Sequence, residues 1–77
     1  NDWILCQITS KSYNDNKAIL IDETDYKNGG LNLVSFVRPS KLFTANAALF
    51  NKKIATLTDA AHEKVISAIL QILKNGQ

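Results

Sequence analysis

Short apolar runs separated by polar clusters fill the first three quarters of the chain, and one long amphipathic stretch closes it. Residues 3–9 (WILCQIT) form an apolar, β-rich run that stops at the polar SKSYNDN. That pattern predicts a strand buried on both faces and then a loop, with Thr9 and Ser10 at the strand exit. Residues 17–22 (KAILID) form a second short run. The polar DETDYKNGG that follows reads as a solvated loop, turning back at Gly29-Gly30, where positive φ is easily reached. Residues 33–37 (LVSFV) alternate well enough for a strand that Pro39 should end, since proline cannot donate to a ladder and marks an edge or bend. Another strand is expected at residues 41–44 (KLFT), one helical turn at 46–50, and a last strand at 53–57 (KIATL).

The final segment has the strongest signal. Thr58 can cap a helix, Asp59 and Glu63 suit its positive end, and Lys74-Asn75-Gly76 closes it. Ala61, Val65, Ala68, Ile69, Ile72 and Leu73 share one helical face, which should cover the sheet. Ile66 and Leu70 widen that stripe, as a broad core contact or a subunit interface would require. The expected fold class is therefore mainly β with a C-terminal α-helix: a small coiled antiparallel sheet or partial barrel with the helix packed on it.

Composition narrows the picture in a few places. At 77 residues the chain has room for one hydrophobic core, so residues 1–77 are read as a single domain or part of one. With 45% hydrophobic residues and no low-complexity tract, it should fold. No apolar stretch approaches the roughly 20 residues of a membrane helix, so a cytoplasmic protein without a membrane partner is expected. The lone Cys6, between Leu5 and Ile8, is expected to pack as a small hydrophobe. A net charge of +2 permits an anionic partner, but the nine basic residues are not gathered into a stripe. The chain begins at Asn1, contains no Met and enters a strand-like run at once, so it is expected to be a piece of a longer domain.

Taken in order, ILCQITS, the GGL turn, SFVRPSKLFT, an Ala-Leu-rich turn, KKIATLTD and the terminal amphipathic helix resemble the C-terminal two thirds of PemK/MazF-like toxins of toxin-antitoxin systems. The resemblance extends over nearly the whole chain and rests on the order and spacing of these segments. It implies an SH3-like small barrel whose N-terminal strands this chain would lack, and a homodimer silenced by a cognate antitoxin. It also implies a sequence-selective, metal-independent endoribonuclease, with no cofactor, that cleaves single-stranded RNA through the RNA's own 2′-hydroxyl. Such an enzyme needs only groups that orient the phosphodiester and offset its growing negative charge. In the family, an Arg followed by Pro on an early loop and a Thr or Ser at the end of a later strand serve this purpose. Thr9 matches the second position, with Ser10 beside it. Arg38-Pro39 comes about thirty residues after Thr9, so chain order argues against giving Arg38 the family's catalytic role. Without the early Arg, the fragment is expected to be inactive alone.

A Thr hydroxyl is barely acidic, so Thr9 is best cast as a transition-state stabiliser. Lys11 and Ser12 offer a cation and a hydroxyl for phosphates, or else a solvated loop. Lys41 lies on a segment that approaches RNA in the family, though a lone Lys is ordinarily plain surface. Tyr13, in a loop, suits base stacking, whereas Trp3 is expected in the core. His62 is read as a surface helix residue, and no residue set has metal-ligand spacing. The competing reading is a non-catalytic SH3-like module that binds an antitoxin-like peptide or nucleic acid.

Overall fold

The computed structural model describes residues 1–76. Five strands and one helix follow in the order β1 (Asp2–Thr9), β2 (Ile19–Ile21), β3 (Tyr26–Gly29), β4 (Ser35–Asn46), β5 (Ala55–Leu57) and α1 (Asp59–Asn75). The fold is mainly β with a C-terminal helix. The strands form two separate antiparallel sheets, β1-β4-β2 and β3-β5, and do not close into a barrel.

β4 organises the larger sheet because it pairs with β1 on one side and β2 on the other. It runs straight through Pro39 to Asn46, so the two strands expected at 33–37 and 41–44 are one strand of 12 residues. The reason lies in the register. Cys6 pairs with Leu42 and the next residue, Gln7, pairs with Arg38, which leaves residues 39–41 opposite no β1 residue. This bulge accommodates proline without the loss of a ladder bond, and there Pro39 is fully buried.

Alternation along the strands sends their side chains to two faces. Val37 lies between Ile8 on β1 and Ile19 on β2, and on this face Ile21 and Val37 meet Val65 of α1 to form the core. Cys6, Ile19, Tyr26, Leu57 and Ile69 pack around them. α1 packs on β4 and β5. It therefore leaves much of β1 uncovered, and Trp3 and Ile4 are 54% and 77% exposed, contrary to the expectation of a strand buried on both faces. Trp3 meets Phe50 edge-on, with ring centroids 6.1 Å apart.

The helix follows its sequence signals closely. Thr58 Oγ1 accepts the Ala61 amide at 3.1 Å, and Gly76 closes the other end at φ 77°. Ala61 and Val65 are buried, Ala68, Ile69 and Ile72 are half-buried, and Leu73 is exposed. The helical turn expected near residue 46 is a short 3-10 turn at Ala47–Leu49, capped by the Asn46 side chain.

The polar segment after β2 is more ordered than a solvated loop. Asp22 accepts the Thr24 amide at 2.9 Å while its own amide donates to Asp25 Oδ2 at 3.0 Å, a reciprocal cap on the 3-10 turn Glu23–Asp25. β3 follows directly and pairs with β5, ending at Gly29 with φ 69°. A Cβ on Gly29 would collide with the Ile54 carbonyl oxygen on the neighbouring chain segment. Gly29→Ala is accordingly expected to destabilise the protein by about 1–3 kcal/mol. Ile21→Ala should cost about 2 kcal/mol or more by opening a void beneath Val65. Urea titrations of the two variants against the parent chain measure both effects.

Candidate functional site

The face of the larger sheet opposite the helix carries the candidate residues. Thr9 pairs with Phe36 and Gln7 with Arg38, so Thr9, Gln7, Phe36 and Arg38 share that face. Thr9 is half-buried at the last position of β1, and its Oγ1 accepts the Lys11 amide at 3.2 Å. That bond uses an oxygen lone pair and leaves the O–H free to donate. Ser10, Lys11, Ser12 and Tyr13 follow as an exposed segment.

The loop then turns sharply. Tyr13 and Asn14 both have left-handed backbones, φ 55° and 53°, which residues with a Cβ adopt at a cost. The Asp15 amide closes the turn on the Ser12 carbonyl at 3.0 Å, and the Ala18 amide donates to the Asp15 carbonyl at 3.1 Å.

Arg38 ties this loop to the sheet. Its Nε donates to Asp15 Oδ2 at 3.0 Å, its Nη1 donates to Gln7 Oε1 at 3.2 Å, and its guanidinium carbon lies 4.8 Å from the Tyr13 ring centroid. The pair is largely shielded, with 16% of the Arg38 side chain and 9% of that of Asp15 exposed. The Arg38 hydrogen bond, helped by the Lys17 amide, holds the Asp15 carboxyl below the usual carboxylate range, and Lys41 adds a smaller pull. Lys41 projects from the exposed part of the β4 bulge and acts on the same cluster.

The expected residues therefore fall into two groups. Thr9, Ser10, Lys11, Ser12 and Tyr13 form one continuous edge, and Lys41 approaches it through Asp15. No hydrogen bond or ion pair joins Lys41 to Thr9 among the described residues. Sequence reasoning missed Gln7, Asp15 and Arg38 as parts of the cluster, because their meeting depends on the β1-β4 register. The one local signal was the Asn-Asp-Asn run at 14–16, residues that tolerate left-handed turns.

Cys6 behaves as expected of a small packed residue: its thiol donates to the Arg38 carbonyl at 3.1 Å, and burial pushes its pKa up, away from thiolate chemistry. His62 is exposed on α1. No helix among the described residues is long and apolar enough to cross a membrane. No family model and no curated protein matches the chain.

Because folding lowers the Asp15 pKa, its stabilising effect is complete above the unfolded value of about 3.9 and vanishes as pH falls through the lower folded value. Asp15→Asn should therefore melt earlier than the parent chain at pH 6, with the gap in Tm closing as pH falls below the usual carboxylate range. A series of thermal melts across that range checks it.

Proposed function

We propose that this chain is the C-terminal portion of a PemK/MazF-like endoribonuclease toxin, and that Thr9, with Ser10, stabilises the phosphorane-like transition state of RNA cleavage. The observation that carries the reading is the Thr9 hydroxyl itself. It stands at a strand exit with its acceptor side engaged by the Lys11 amide and its proton free to donate to a phosphate oxygen.

The surroundings fit that task. Lys11, Ser12 and Lys41 are exposed and able to contact neighbouring phosphates. The RNA's 2′-hydroxyl attacks the adjacent phosphorus, the 5′-oxygen of the next nucleotide leaves, and a 2′,3′-cyclic phosphate remains. No metal or organic cofactor takes part in this chemistry. Arg38 is committed to Asp15, so in this scheme the cation that offsets charge on the phosphate comes from an Arg on a segment preceding β1.

In the same reading, the two sheets and helix form the larger part of an SH3-like barrel. β1 is an edge strand with uncovered apolar side chains on both faces, which suits the addition of further strands there. Exposed Ile66, Leu70 and Leu73 on α1 suit a homodimer contact, and a cognate antitoxin would silence the enzyme in the cytoplasm by covering the RNA edge.

The test uses the protein together with its upstream coding sequence. Single-stranded RNA should be cut in the presence of excess chelator to give 2′,3′-cyclic phosphate ends, and Thr9→Ala should lower the rate roughly 10²-fold. Uncut RNA, with oligonucleotide or peptide binding indifferent to Thr9→Ala, would replace the enzyme by a non-catalytic SH3-like binding module.

A further inference from the structure

Arg38 is tied to protein through Nε on Asp15 and Nη1 on Gln7, yet the ring its guanidinium lies against faces outward. Tyr13 is 57% exposed, with one face of its ring against the guanidinium. That guanidinium is itself fixed from two elements, by Asp15 in the loop and Gln7 on β1. The ring also sits on two successive left-handed residues, a conformation held by hydrogen bonds within the loop and by the Arg38–Asp15 tie to the sheet. The ring is braced on one side by the guanidinium and open to solvent on the other.

We propose that Tyr13 is the contact face of a nucleobase-stacking site for single-stranded RNA, and that Arg38 is the positioning residue that holds the ring ready for it. The proposal rests on the RNA reading above for its substrate. Asp15 neutralises the guanidinium, so the stack offers a flat polarised face instead of a bare cation, which suits a base better than a phosphate. The phosphate charge is left to Lys11 and Lys41, which form no ion pair among the described residues. Three residues separate Tyr13 from Thr9, a Cα-to-Cα span of at most about 14 Å when extended, so the stacked base belongs to a nucleotide close to the one whose phosphate meets Thr9. Pre-ordering the ring removes the conformational cost that a free loop tyrosine would pay on binding.

The experiment titrates the chain into short single-stranded RNA carrying one 2-aminopurine, whose fluorescence falls on stacking. The parent chain and Tyr13→Phe should quench it alike. Tyr13→Leu, which keeps bulk but no π face, should lose the quench and bind roughly tenfold more weakly. Arg38→Gln should lose most of the quench, and combining it with Tyr13→Leu should cost little more than either change alone. Asp15→Asn, by baring the guanidinium, should steepen the salt dependence of binding. Circular dichroism melts identify folded variants, and Tyr13→Phe, which leaves the stack intact, reports even if the others unfold.

A folded Tyr13→Leu that quenches and binds like the parent overturns the proposal, as does a parent chain that leaves 2-aminopurine unquenched while binding an acidic peptide. If the intact protein cuts RNA but Tyr13→Leu keeps its quench, the stacking site falls and the toxin reading stands. A Tyr13-dependent quench on RNA that is never cut has the opposite meaning.

Discussion

The alternation of side chains along β4 is the constraint from which the rest of the structure follows. Val37 points to the helix and becomes the centre of the core, and so its neighbour Arg38 must point to the other face. One strand thereby supplies the anchor of the fold and the anchor of the candidate site at adjacent positions. A one-residue slip of the β1-β4 register would turn Val37 out to solvent and Arg38 into the apolar core, which makes the register strongly specified. The Pro39 bulge keeps that specification compatible with proline in a strand paired on both sides.

Charge is used sparingly on the candidate face. The best shielded cation, Arg38, is balanced by Asp15 and made into a structural tie, while Lys11 and Lys41 are exposed to solvent. On the proposed RNA reading, such a division suits recognition by shape and stacking close to the sheet, with long-range attraction supplied from the rim. Salt would weaken the rim contribution first, since exposed charges are screened and shielded ones much less so.

The core is small for the amount of apolar surface the chain carries. Among the described residues four hydrophobic side chains, Ile21, Val37, Ala61 and Val65, are buried, whereas Trp3, Ile4, Leu49, Ile54 and Leu73 are all more than half exposed. α1 covers β4 and β5, and β1 is held chiefly by its ladder with β4. Exposed large apolar groups that gather at a sheet edge and along a helix stripe are features of surfaces that associate.

Local chemistry determined several elements from the sequence alone. The Thr58 cap, the Gly76 terminus and the 3.6-residue period defined α1, and the polar break after Thr9 defined the end of β1, because caps, periods and turns depend on residues a few positions apart. Asn46 likewise announced the short turn that it caps. Distance along the chain hid the rest. Tyr26–Gly29 has no strand pattern and is a strand only because β5 lies alongside it, and Pro39 remains within β4 only because the β1 register opens a bulge there. Trp3 is outside the core because the helix lies over the far side of the sheet. The meeting of Arg38 with Asp15, Gln7 and Tyr13 joins residues 23, 31 and 25 positions apart, and only the β1-β4 pairing and the loop that leaves β1 bring them together.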